Sequence, residues 1–188
     1  MLSVIVPTSE SEAVLVRTLA SLVAGATAGL IREVILADAG STDETEQIGD
    51  VAGCRFLPLP GPMGPRLARA VDAARGDWLM FVPAGAVLES GWVADVQQFT
   101  ERARDSLAGV FTAVHAQRQD SMLRAMLAVW RASRTGLSPG RGLLIGKTFY
   151  REIGGHRDCD HSEADLLRRI GRRRLATLPA GIFAHDET

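Results

Sequence analysis

The sequence predicts an α/β fold: one domain with a mostly parallel central sheet and helices on both faces. Three observations carry this expectation. Apolar, β-rich runs recur at Leu2–Val6, Glu33–Ala37 and Trp78–Val82, short enough for strands buried on both faces. Stretches with apolar residues at helical spacing separate them, the alternation of a parallel sheet. Pro, Gly or Asp follows each run at its carboxyl end, as turns require.

The elements follow in order. After Leu2–Val6, Ser9-Glu10-Ser11-Glu12 fits a capping box with Ser9 as N-cap. Val14, Leu15, Thr18, Leu19, Leu22 and Val23 continue as a helix that Gly25 and Gly29 bring to an end. Gly40–Glu44 turns into a second helix through another Ser-x-x-Glu cap. Arg55–Leu57 reads as a short third strand, and the Pro/Gly-rich stretch 58–65 as a stiff loop. Arg66–Arg75 is a helix before the strand Trp78–Val82. Later elements are helices at Ser90–Arg104, Ser121–Arg134, Phe149–Ile153 and Ser162–Gly171, and strands at Gly109–His115, Leu143–Ile145, Leu175–Leu178 and Ile182–Ala184. With no internal repeat or linker, 188 residues suit a single domain.

Composition narrows the function classes. Hydrophobic content of 46% and charged content of 23% suit a globular chain. A net charge of −1 and 5% aromatic residues argue against a nucleic-acid partner. Cys54 and Cys159 are the two cysteines and lie far apart, which fits idle thiols in a reducing compartment. The start lacks a basic leader, and the apolar run Trp78–Leu88 is too short to span a bilayer. The expectation is a cytoplasmic protein, with peripheral contact to the inner face of a membrane as a candidate.

Several segments in series carry a resemblance. Val4-Ile5-Val6-Pro7-Thr8, Val34–Asp43 with Asp38-Ala39-Gly40-Ser41-Thr42-Asp43, Ala73–Asp77, Gly142–Ile145 and Phe149–Gly155 together resemble the family-2 glycosyltransferases of the GT-A (Rossmann-like) fold, near the short bacterial members. The likeness runs from about residue 2 to about 184. It implies a donor half over about 1–88, an acceptor half over about 89–188, and transfer of a sugar from a nucleotide-diphosphate sugar with inversion. In open α/β sheets the ligand lies beyond the carboxyl ends of the strands. Pro7, Thr8, Asp38 and Pro83 sit at such ends. By resemblance Asp38 accepts a hydrogen bond from the nucleobase and Thr8 lines the same pocket. The competing reading makes Asp38 a turn residue that satisfies local N–H groups. Ser41 and Asp43 suit a helix start.

The chain departs from the family at its polar positions. An Arg and an Asn on the helix after the Gly-rich loop align with Pro65 and Ala68. The Asp-x-Asp signature that holds Mg or Mn on the diphosphate aligns with Pro83-Ala84-Gly85, and a Gly-Asp-Gln stretch with Pro139-Gly140-Arg141. The Glu-Asp pair that supplies the base aligns with Ser162-Glu163. No metal ligand is assigned. A leaving diphosphate still needs its charge stabilised, so Arg66, Arg69, Arg141 and Lys147 are the candidates, Arg141 foremost. Donor-side residues are therefore Pro7, Thr8, Asp38, Arg66, Pro83, Gly85 and Arg141. Glu163 is the candidate base and Asp165 its alternative, although Ser162–Asp165 also reads as a helix N-terminus with Ser162 as cap.

The remaining features are weaker. His156–His161 holds metal-ligand residue types in no established spacing and reads as a polar surface loop. His185 alone is weak evidence. The basic, apolar-faced segments Ser121–Arg134 and Arg168–Arg174 suit an anionic membrane surface bearing a lipid-linked acceptor, a protein partner, or a solvated helix edge. The alternative function is a non-catalytic relative that binds a nucleotide or sugar, or serves as a partner subunit. A nucleotidyltransferase is a third reading, disfavoured because Pro7-Thr8-Ser9-Glu10 is no Gly-rich phosphate loop.

Overall fold

A computed structural model describes residues 1–103, 106–114 and 140–183. Its strands are β1 (Leu2–Thr8), β2 (Ile31–Asp38), β3 (Arg55–Pro58), β4 (Trp78–Phe81), β5 (Val87–Leu88), β6 (Ala108–Val114), β7 (Leu143–Gly146) and β8 (Leu175–Phe183). They form one sheet in the order β3-β2-β1-β4-β7-β6-β8-β5. β1 is parallel to β2 and β4, β2 to β3, and β6 to β8. β7 enters antiparallel between β4 and β6, and β5 pairs antiparallel with the end of β8. Because β7 is antiparallel to both neighbours, β4 and β6 point the same way. The carboxyl ends of β1, β2, β4 and β6 therefore share one edge.

The helices are α1 (Glu12–Thr27), α2 (Thr45–Val51), α3 (Met63–Ala73), α4 (Trp92–Arg102), α5 (Lys147–Glu152) and α6 (Ser162–Ile170). The pleat sends Val4 and Val6 of β1 to one face, into a core with Leu15, Leu22, Trp92 and Val96 of α1 and α4. Ile5 points to the other, with Leu67, Val71, Leu166 and Ile170 of α3 and α6. The fold is the single α/β sandwich expected, with helices covering both faces.

Element boundaries shift where side chains have other partners. Ser9 does not cap α1, whose N-terminus is held across the loops by Asp43, which accepts the Glu12 N–H at 3.0 Å. Ser41 does not cap α2, because its hydroxyl donates to Asp38 at 2.6 Å. Gly25 lies inside α1 and makes room for Trp92, whose ring would lie 2.4 Å from an added Cβ. The third helix begins three residues before Arg66, at Met63. The two final strands are one, β8, kinked near Pro179 where the register against β6 slips between Phe111 and Thr112. His156 departs from the expected surface loop: it is buried against Phe81 and Tyr150, while residues 157–161 are exposed. The segment Ser121–Arg134, Pro139 and His185 lie outside the described residues.

Two helix N-termini meet at the functional edge of the sheet. A Cβ on Gly64, in the first turn of α3, would lie 1.9 Å from the Arg157 carbonyl oxygen and 2.7 Å from Ser162 Oγ. Ser162 is the first residue of α6, and its buried hydroxyl has no partner, so it does not act as the expected cap. Backbone contact this close leaves no flexible group to yield. Gly64→Ala is expected to lower the unfolding free energy by about 2 kcal/mol through overpacking, despite alanine's better helix propensity. Urea denaturation against the parent chain measures it.

Candidate active site

The floor of the site is built where β1 and β2 end side by side. Thr8 pairs in register with Asp38, and both are fully buried. Asp38 Oδ1 accepts hydrogen bonds from Thr8 Oγ1 at 2.8 Å and Ser41 Oγ at 2.6 Å. Its Oδ2 accepts the Gly40 and Ser41 N–H groups, each at 2.7 Å. These donors fill the four lone-pair positions of a carboxylate. Burial pushes the Asp38 pKa up, but the hydrogen bonds from Ser41, Thr8 and Gly40 together outweigh it and hold the acid ionised below its ordinary range. Asp38 thus serves the turn in the described geometry. It could meet a nucleobase only by exchanging a hydroxyl partner for the base.

Arg66, in the first turn of α3, is buried beside this carboxylate. Its Nη1 donates to the Thr8 carbonyl at 3.4 Å, and its Nε has no partner. Burial draws the Arg66 pKa down and the Asp38 charge supports it. A guanidinium held this way, with one long hydrogen bond, is under-satisfied. It places positive charge directly under the strand ends.

A second wall comes from β7 and α6. Arg141 exchanges backbone and side-chain contacts with Phe111 of β6: its carbonyl accepts the Phe111 N–H at 3.2 Å, and its Nε donates to the Phe111 carbonyl at 3.1 Å. Burial draws its pKa down; a guanidinium remains charged regardless. The neighbouring Gly140 N–H donates to Glu163 Oε1 at 3.1 Å. Burial raises the Glu163 pKa, and the Gly140 hydrogen bond opposes that only in part. Asp165, two residues on, is the opposite case. The Arg169 hydrogen bond, foremost, holds its pKa down, with Arg168 adding to the effect. Its oxygens meet Arg169 Nε at 2.8 Å and Arg168 Nη2 at 2.5 Å.

The other cations separate by position. Lys147 donates from Nζ to the Ala74 carbonyl at 2.5 Å and from its backbone to Asp77. It therefore lies at the amino ends of the strands and caps the end of α3, far from any donor. Arg69 is exposed on α3. Arg172–Arg174 form a 3-10 turn just before β8 and so belong to the same remote end of the sheet. Arg174 also stacks on Phe149 at 5.2 Å and binds the Ile170 and Arg169 carbonyls. An apolar groove of about 430 Å³ between α1 and α2, lined in part by Val16, Ile48 and Val51, offers no comparable polar chemistry.

Beyond β4 the chain makes a tight turn, Pro83-Ala84-Gly85-Ala86. The Ala86 N–H donates to the Pro83 carbonyl at 3.1 Å, and Gly85 has φ +85°. These residues do not fit a divalent metal. Pro83, Ala84 and Gly85 carry no ligating side chain. Among the described residues no three His, Cys, Asp or Glu side chains converge in a metal-binding group. Glu89 and Asp95, the next acids along the chain, accept the Gly181 and Ala180 N–H groups in the bend of β8.

The chain matches the family described as glycosyl transferase family 2 over residues 3–161. This protein belongs to glycosyl transferase family 2. The family chain is 36% identical over 93 residues to polypeptide N-acetylgalactosaminyltransferase 8 of Drosophila melanogaster, across 45% of its own length and 16% of that protein. It thus spans about a sixth of that curated relative. Among solved structures it resembles glucosyl-3-phosphoglycerate synthase from Mycobacterium tuberculosis in complex with Mn2+, UDP and phosphoglyceric acid, with a TM-score of 0.72, 19% identity, and coverage of 100% of this chain and 72% of that one. The same enzyme with Mn2+ and UDP-glucose gives a TM-score of 0.72 at 20% identity, with the same coverages. This likeness establishes the GT-A fold for the chain. Among its described residues no helix is long and apolar enough to cross a membrane.

Thr18, which accepts the Gly85 N–H at 2.8 Å, Ser162 Oγ, the Gly140 N–H and the buried His156 also belong to this edge, and the sequence does not mark them. A Gly-Pro pair inside a helix start, Gly64-Pro65, was the one visible signal of close approach.

Proposed function

We propose that this family-2 chain binds a nucleotide-diphosphate sugar at the carboxyl edge of its sheet and transfers the sugar, with inversion, without a divalent metal. The observation that carries this reading is Glu163. It is a half-buried carboxylate whose pKa is raised by burial and which is held by one backbone N–H, beside the arginine wall. A raised pKa strengthens a base near neutral pH. Glu163 takes the proton from the acceptor hydroxyl as its oxygen bonds to the anomeric carbon. The bond from that carbon to the diphosphate breaks, and the leaving group carries away the electron pair. Arg141 and Arg66 supply the positive charge that the metal supplies elsewhere. Asp165, committed to two arginines, orients Arg169 rather than acting as base. Residues of about 1–88 form the donor half and about 89–188 the acceptor half.

UDP is the first nucleotide to test, because the structural neighbours were solved with UDP or UDP-glucose. Calorimetric titration with UDP in EDTA is expected to show binding that Arg141→Ala weakens about tenfold, the loss of one charge-assisted contact. With a working acceptor, Glu163→Gln is expected to lower kcat by about 10²–10⁴ with little change in donor KM. Wild-type activity should fall on acidification at a pH above the ordinary glutamate range, because only ionised Glu163 accepts the proton. Binding that demands Mn2+ would sink the metal-free reading.

A specific observation also supports the alternative of a non-catalytic nucleotide-binding or partner subunit. Asp38 is fully committed to its turn, and the metal-motif position Pro83-Ala84-Gly85 carries no ligating side chain. UDP binding with no effect of Glu163→Gln in any transfer assay would favour it. A lipid-linked acceptor is less well served. The exposed arginines of 168–174 extend toward the end of the sheet remote from the site, so a membrane held there faces away from the chemistry.

A further inference from the structure

The turn in the metal-motif position is pinned from behind. Gly85 N–H donates to Thr18 Oγ1 at 2.8 Å, and Thr18 is fully buried on α1. Ala84 has negative φ, Gly85 has φ +85°, and Pro83 and Ala86 close the ring. That combination is a type II turn. Its central peptide, Ala84–Gly85, is trans and planar, so its C=O points opposite to its N–H. With the N–H of the buried Gly85 aimed into α1, the carbonyl of the half-buried Ala84 is turned away from α1. Rotation of this peptide to a type I arrangement would reverse the two dipoles. Thr18 prevents it, because the buried Gly85 N–H would lose its acceptor.

We propose that Thr18 is a positioning residue that fixes the Ala84 carbonyl as a hydrogen-bond acceptor for a hydroxyl of the donor sugar. The inference rests on the donor-binding reading above. A carbonyl there repels an anion and attracts a hydroxyl, so it selects the sugar and not the diphosphate. Where the family places carboxylates, this chain offers one backbone acceptor in a fixed direction. The assignment also gives Gly85 a role: only a residue tolerant of positive φ allows that peptide orientation.

The test compares UDP and UDP-glucose by calorimetry in EDTA, for the wild type, Thr18→Val and Thr18→Ser. Valine keeps the shape and removes the acceptor; serine keeps the acceptor. Thr18→Val is expected to weaken UDP-glucose about tenfold, the scale of one lost hydrogen bond. UDP affinity should be unchanged, and Thr18→Ser should bind UDP-glucose like the wild type. Equal weakening of both ligands, or of neither, overturns the positioning role and leaves the donor-binding reading standing. A folded wild type that binds neither ligand overturns both. Thermal melts of each variant establish that it is folded, and a lowered Tm with unaltered ligand discrimination also counts against the proposal.

Discussion

Asp38→Ala is expected to lower the unfolding free energy by about 4 kcal/mol, at about 1 kcal/mol for each of the four donors left without an acceptor. Two backbone N–H groups and two hydroxyls lose their acceptor at once. The buried Arg66 guanidinium also loses the charge that supports it. Asp38→Asn should cost much less, because the Thr8 and Ser41 hydroxyls can rotate to accept from the new amide while its oxygen keeps the backbone donors. A large difference between the two variants in urea denaturation is therefore the signature of the network. Equal losses would mean that the charge, not the acceptor geometry, dominates. The sign with pH follows from the depressed pKa. The stabilisation is present above the unfolded value near 4 and is lost as pH falls through the lower folded value.

Acid sensitivity at milder pH is expected from His156. Burial, with the Arg169 charge adding to it, pushes its pKa down to about 4 from 6.5. Tyr150 Oη lies 2.9 Å from His156 Nδ1 and accepts the His156 N–H at 2.9 Å, and the same burial raises the tyrosine pKa to about 12. The folded chain therefore keeps the imidazole neutral where the unfolded chain protonates it. Stability is complete above pH 6.5 and declines as pH falls toward 4, by about 3 kcal/mol over that window at 1.36 kcal/mol per unit. His156→Phe fills the space against Phe81 without a titrating group. Its unfolding free energy should be nearly flat across the same window. A wild-type curve that is equally flat would count against a neutral buried imidazole.

The strands that line the edge were legible because burial on both faces leaves continuous apolar runs at Leu2–Val6 and Trp78–Val82. α1 was legible from Leu15, Leu19 and Leu22 at helical spacing. β5, two residues long, carries no period to read, and the antiparallel entry of β7 depends on contacts remote in sequence. Side-chain commitments were the least legible. Ser9 fits the capping pattern with Glu12, yet α1 starts after Ser11, which makes no side-chain cap, and Asp43 of the neighbouring loop takes the Glu12 N–H instead. Lys147 and Arg141 look alike as candidate cations. Strand direction alone sends one to the amino edge and the other to the site. Glu163 and Asp165 are two residues apart on one helix, and their opposite pKa shifts arise from burial, which raises the first, and from the Arg169 hydrogen bond a turn further on, which lowers the second.

The two loops that border Asp38 are stitched together in both directions. Glu10 and Ser11 donate their N–H groups to Ser41 Oγ and Thr45 Oγ1, while Thr42 and Glu44 donate theirs to the carboxylates of Glu10 and Glu12. The conformational entropy of this rim is given up when the chain folds, not when a ligand arrives. Glu10 even holds a left-handed backbone, φ +46°, to complete the seam. Substitutions that fray the seam should therefore weaken nucleotide binding through entropy.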